Sequence, residues 1–247
     1  MAFTKQQKSG LFYACLGIFL FSLSLPFTKL ALKSFDPLFT AFARPIIAAS
    51  LAIPLMMVAR VPALPRNLWR PMAFTTAGAV FGWPILIALA LQRTTSAHVS
   101  VIAAIMPLVT AIFSVWKNKK PVGASFWTAS GLGTLFLVLF TVGRGGATES
   151  DWIADLLVVG AVLASSYCYV EGASLTKHMP GWQVISWVVI FGLPLSIPGA
   201  AIVYFNTYAN YNLHFDALLG LLAIGFSSMY LGFFAWYRGL NDFGVTP

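Results

Sequence analysis

The stretch LFYACLGIFLFSLSLPFT, residues 11–28, carries no charged side chain along its whole length. An α-helix rises about 1.5 Å per residue, so this run crosses nearly all of a hydrocarbon layer about 30 Å thick. Lys5 and Lys8 precede it, as basic residues precede the apolar part of a signal peptide. The run exceeds an ordinary signal core and further apolar runs follow, so it reads as a first retained span. The whole composition agrees. Among 247 residues there are 15 Lys and Arg and 7 Asp and Glu, so charged residues make up 9%, while hydrophobic residues make up 59%. Mean hydropathy is +0.82. Soluble domains carry about 25% charged residues. A soluble sphere, a secreted disulfide scaffold and a disordered chain are all excluded, and an all-α polytopic membrane protein is expected.

Outward from residues 11–28, the apolar runs divide the chain into eight expected spans. They cover about 11–31, 37–59, 71–92, 99–116, 121–143, 153–175, 181–205 and 217–238, with ends uncertain by about 2–4 residues. Basic residues orient them. With the N-terminus in the cytoplasm, the inner segments hold Lys5, Lys8, Arg60, Arg66, Arg70, Lys117, Lys119, Lys120, Lys177 and Arg238. The outer segments hold only Lys29, Lys33, Arg93 and Arg144, beside the acidic Glu149, Asp151 and Asp155. A bacterial-type cytoplasmic (inner) membrane with the N-terminus inside is therefore expected. The net charge of +8 is a topology signal, scattered between spans, and nucleic acid is not an expected partner. Trp69, Trp116, Trp127, Trp152 and Trp182 lie near span ends, as interfacial anchors do. Trp83, beside Pro84, lies too deep for that belt.

Enzyme chemistry finds no footing. There is no nucleophile triad, metal-spaced cluster, phosphate loop or carboxylate pair, so no catalytic residue, metal or cofactor is expected. Cys15 and Cys168 read as packing residues, and His98, His178 and His214 as residues near loops. Intramembrane charge is the better guide, because it normally faces a partner or a wet cavity. Arg44 lies about 10 Å into span 2, and its guanidinium suits a substrate carboxylate. The alternative is a snorkelling arginine paired with outer carbonyls or the 149–155 loop. Glu171 in span 6 is a proton-coupling candidate, with a pairing to Lys177 or a loop base as the alternative. Trp83, Tyr167, Tyr230 and Trp187 fall at middle depths in four spans and are candidate solute-binding residues. Ser165-Ser166 and Ser227-Ser228 are candidate polar liners. Pro26, Pro54, Pro84, Pro107 and Pro194 are expected to interrupt their helices, with Pro26, Pro84 and Pro107 as the principal kinks. Gly78 and Gly82, four apart in span 3, are expected to permit close helix contact.

Several motifs occur in a fixed order. Pro26-Phe27-Thr28-Lys29-Leu30-Ala31 ends span 1, and Asp36-Pro37 and Phe42-Ala43-Arg44-Pro45 with Ala48 follow. Next come the turn at 90–97, Met106-Pro107-Leu108-Val109-Thr110, Lys119-Lys120 and Gly131-Leu132-Gly133. In these the chain resembles the drug/metabolite transporter superfamily, specifically its EamA-type permeases. The resemblance implies ten helices in two five-helix repeats of inverted topology. Residues 1–143 would form the first repeat, helices 1–5, and residues 144–247 would supply helices 6–8 of the second. The second repeat is then expected to be C-terminally incomplete. The resemblance further implies a secondary transporter that moves a small organic metabolite or amphipathic compound, by export and alternating access. The expected partners are that solute and the lipid bilayer, with the oligomeric state open. The alternatives are a channel, for which no ring of like charges is visible, or a non-transporting assembly subunit.

Overall fold

The computed structural model describes residues 4–119, 123–143, 152–207 and 213–243. Lys120, Arg144, Glu149, Asp151 and the stretch 244–247 lie outside the described residues. A helix stands at each of the eight expected places: α1 Lys5–Ala31, α2 Pro37–Val58, α3 Arg66–Ala90, α4 Ser96–Asn118, α5 Ala124–Gly143, α6 Trp152–Leu175, α7 Gly181–Thr207 and α8 Phe215–Asp242. Seven are long and apolar enough to cross a bilayer; α5 is a 20-residue helix. Among the described residues there is no strand. The protein is an all-α polytopic membrane protein, as hydrocarbon demands: only a helix satisfies its own backbone there without an edge.

Side chains set where the helices begin. Thr4 accepts from the Gln7 backbone at 3.2 Å while the Gln7 side chain accepts from Thr4 N–H at 3.0 Å, a reciprocal cap on α1. Asp36 accepts from the N–H groups of Leu38 and Phe39 at 2.8 and 3.2 Å, with Pro37 at the first helical position of α2. Thr95 accepts from His98 N–H at 3.2 Å and starts α4.

The helices are not uniform inside. A proline lacks an N–H and crowds the carbonyl four residues earlier. The α-helical ladder of α1 is broken at Leu23, three residues before Pro26. That of α4 is broken at Ala104 and Ile105, ahead of Pro107. In α3 the stretch Ala77–Gly82 widens into a π-helix immediately before Trp83-Pro84. By contrast α2 runs unbroken through Pro45 and Pro54, and α7 through Pro194 and Pro198. The expectation that Pro54 and Pro194 interrupt their helices is corrected: both are absorbed. A second π-helical stretch, Ile224–Leu231 in α8, has no proline. There the Ser227 hydroxyl donates to the Ala223 carbonyl at 2.6 Å, competing for an acceptor that the α-ladder would use.

We call the membrane side on which α1 begins the near side, and the other the far side. The broadest helix contacts join α1 to α8, α2 to α7 and α3 to α6, while α4 packs on α6 and α5 on α4. The main core joins α2, α3, α6, α7 and α8 through side chains such as Ala48, Ala52, Met72, Val80, Val188, Met229 and Tyr237. Apolar residues on α1 and α5, including Phe12, Phe19, Leu135 and Phe136, stay exposed, as a lipid-facing surface requires.

Glycine sets the closest approach. A Cβ at Gly78 would run into the Ala164 carbonyl and the Cys168 Cβ of α6, and one at Gly82 would meet the Ala164 Cβ at 2.6 Å. A Cβ at Gly131 on α5 meets nothing within 4 Å. Gly78→Ala is therefore expected to lower stability by about 1–3 kcal/mol through overpacking, whereas Gly131→Ala costs nothing. Thermal unfolding in detergent compares them, and equal melting temperatures would refute the packing account.

Candidate functional site

Arg44 lies about two turns into α2 and is only 3% exposed. Its Nη2 donates to the Ser228 hydroxyl at 2.8 Å, and its Nε is buried with no hydrogen-bond partner. No carboxylate among the described residues pairs with it, because each is engaged elsewhere. Asp36 caps α2, Lys33 holds Asp216 at 2.6 Å, and His98 meets Asp155 at 2.8 Å. Lys117 holds Glu171 at 2.5 Å, and Asp242 accepts from Ser9 and lies near Arg238. The expected alternative for Arg44, a pairing with the 149–155 loop, thus finds Asp155 bound to His98, while Glu149 and Asp151 lie outside the described residues.

The guanidinium borders a cavity of about 50 Å³ where α1, α2, α3, α6 and α8 meet. Its lining comes in helical pairs: Phe21 and Ser24 on α1, Ala79 and Trp83 on α3, Ser165 and Tyr169 on α6, Ser228 and Phe233 on α8. Spacings of three or four residues put each of the first three pairs on one helix face. On α8 the spacing is five, and the π-helical stretch takes up the extra residue. Ala79 and Ser228 both lie within π-helical stretches. Three rings form an aromatic wall: Phe21 and Phe233 stand edge to face at 4.9 Å, and Tyr169 lies 6.3 Å from Phe21 and 5.9 Å from Phe233. The Ser24 hydroxyl, like Arg44 Nε, is buried without a partner.

Of the expected solute-binding residues, the structure brings Arg44 and Trp83 to this cavity and places the others elsewhere. Tyr230 shares a 2.8 Å hydrogen bond with Ser186 and is buried between α7 and α8. Trp187 packs against the main core. Tyr167 lies between the rings of Phe74 and Phe113, 5.7 and 5.6 Å away. Tyr169, two residues on, takes the wall position. Its signal was available: it sits one helical turn after Ser165, whereas Tyr167 faces the other way. Phe21, Ser24 and Phe233 carried no distinctive signal in an already aromatic, serine-dotted sequence.

Glu171 belongs to a separate near-side cluster. Its partner is Lys117 at the end of α4 rather than Lys177, and Lys117 also donates to Ser174 at 3.3 Å. A larger cavity, about 270 Å³, opens among Trp182, Arg238, Asn241 and Asp242 at the near ends of α7 and α8. Its arginine is already used, by Asp242 and by the Tyr13 ring at 4.2 Å. The smaller cavity is therefore the better-built site. On the far side, Lys29 donates to the Leu91 carbonyl at 2.6 Å and ties the end of α1 to that of α3.

The model of the EamA-like transporter family matches residues 8–142. An uncharacterized transporter of Bacillus subtilis (strain 168), YdeK, is 35% identical over 98% of this chain and 83% of its own length. A crystal structure of another protein, 18% identical, superposes with a TM-score of 0.63 over 94% of this chain and 81% of that one, a likeness of fold.

The near-side pair is testable by itself. Lys117→Met leaves Glu171 buried and unpaired, so melting in detergent should fall by several degrees. The double variant Lys117→Met/Glu171→Gln should recover most of that loss. Equal melting of single and double variants would show that the pair carries no coupling.

Proposed function

This chain belongs to the EamA-like transporter family, and from that premise we propose that it moves a small organic solute through the Arg44 cavity by export and alternating access. The observation that carries this reading is the buried guanidinium with an unused N–H at the meeting of five helices. In a carrier, Arg44 and Trp83 bind the solute directly, while Tyr230, Trp187 and Tyr167 act through the helix contacts they hold.

Helix pairing supports a rocking mechanism. Exchanging helices 1, 2 and 3 for 6, 7 and 8 turns the α1–α8 contact into α6–α3 and leaves α2–α7 unchanged. This is the relation that inverted repeats predict. On this reading residues 1–143 form one repeat and helices 6–8 belong to the other. The two π-helical stretches then occupy matching places in α3 and α8 and border the same cavity. Glu171 is the candidate for proton coupling, which requires its pair with Lys117 to open during the cycle.

The protein reconstituted in liposomes tests these roles. Arg44→Lys keeps the charge but loses the planar fork, so flux of anionic solutes should fall at least tenfold. Unchanged flux would remove Arg44 from the binding site. In the same vesicles Glu171→Gln should abolish any component driven by an imposed pH gradient, and persistence of that component would dismiss the coupling role.

The topology proposal places the near side in the cytoplasm of a bacterial-type inner membrane. A cysteine at Lys119, in a Cys15→Ser background, should resist an impermeant maleimide applied to intact cells and react after permeabilisation. Labelling from outside would invert the topology.

A further inference from the structure

The Arg44 site carries one positive charge, and its lining holds none of the opposite sign. Its lining contains serine hydroxyls, aromatic rings and Ala79, and no carboxylate among the described residues reaches the guanidinium. Resting on the transporter reading above, we infer that the solute is a monocarboxylate with an apolar body, and that the carrier reorients only when that anion fills the site, making it an obligatory exchanger.

Each part follows from charge and shape. Arg44 Nε and the Ser24 hydroxyl are two donors without a partner, both on residues that line the cavity. Ser228, which accepts from Nη2, adds a second hydroxyl. A carboxylate satisfies such a set with charge-assisted hydrogen bonds. One carboxylate brings the site to neutrality. A dicarboxylate would leave a negative charge against Phe21, Tyr169 and Phe233. An amino acid would return an ammonium with no carboxylate facing it. At about 50 Å³ the cavity has the volume of about one or two water molecules. It therefore holds a carboxylate head, and the aromatic walls must part for the body.

Reorientation decides between one-way transport and exchange. Passing from one side to the other requires the site to be closed from water on both sides. An empty site would then be an uncompensated guanidinium in hydrocarbon, the costly arrangement for a buried ion. A filled site is neutral. Return of the empty carrier is slow for that reason, and an anion must travel each way.

The intact protein is reconstituted in liposomes that contain either unlabelled phenylpyruvate or sulfate buffer alone, and labelled phenylpyruvate is added outside. Phenylpyruvate is a strong enough acid to stay ionised and out of the bilayer. Uptake is expected at least tenfold faster into the loaded vesicles, at least tenfold slower with phenylalanine as the exchanged pair, and absent for Arg44→Gln. Equal uptake into loaded and unloaded vesicles overturns obligatory exchange while leaving transport intact. Equal exchange of phenylalanine, or uptake of a cationic dye with none of phenylpyruvate, overturns the monocarboxylate class and again leaves transport intact. If no probe moves in any vesicle, the transporter reading falls and this inference with it. Thermal unfolding guards against a purely structural arginine. Arg44→Gln should melt no lower than the wild type without ligand, and should lose the stabilisation that phenylpyruvate gives the wild type. A large drop in melting temperature without ligand would mean that Arg44 holds the fold instead.

Discussion

A guanidinium in hydrocarbon is the constraint around which this molecule is arranged. Even on lenient insertion scales it costs about 2.5–3.5 kcal/mol at the centre of a lone helix, so it persists only with polar company. Here that company is one hydroxyl, Ser228, on the helix that also packs against α1. The described carboxylates are spent at the two ends of the bundle, on caps and ion pairs such as Lys33 with Asp216 and Lys117 with Glu171. Charge at the ends fastens helices together. Charge in the middle is left open.

The same economy governs the backbone. Hydrocarbon offers no water to a stray N–H or carbonyl, so every break in a helix needs a local substitute. The breaks in α1, α3 and α4 precede Pro26, Pro84 and Pro107, and the π-helical stretch of α8 uses the Ser227 hydroxyl. Irregular backbone is thereby confined to helices that border the cavity or pack on α6. The helices α2 and α7, which pair with each other, pass through four prolines without interruption. Those two form an unbroken spine of the bundle.

How much of this was legible beforehand depends on the range of the signal. The eight helices were readable because a membrane span is a local property: about twenty apolar residues suffice, whatever surrounds them. Arg44 and Trp83 were readable for a related reason, since a charge or a large polar aromatic at middle depth is anomalous in any context. Tyr167, Tyr230 and Trp187 share that depth, but depth does not give azimuth. The direction in which a residue points on a helix depends on which neighbours pack there, and that is a non-local fact. The partner of Glu171 was foreseen only as Lys177 or a loop base, on the same ground. Lys177 is near in sequence, but Lys117 arrives from α4 at the end of a separate helix. Pro54 and Pro194 illustrate the opposite error, because a local rule for breaking helices was overridden by the packing of α2 against α7.

The π-helical stretch Ala77–Gly82 has a consequence for how such a wall arises in evolution. A π-turn holds one residue more than the α-turn it replaces. Removing one residue from that stretch would restore a plain α-helix while both flanks keep their register, so Trp83 would still face the guanidinium. A deletion elsewhere in the helix, where no wide turn absorbs it, would instead swing everything beyond by about 100° around the axis. The two π-stretches are thus the places where relatives of this fold can gain or lose a residue without re-aiming the walls of the cavity.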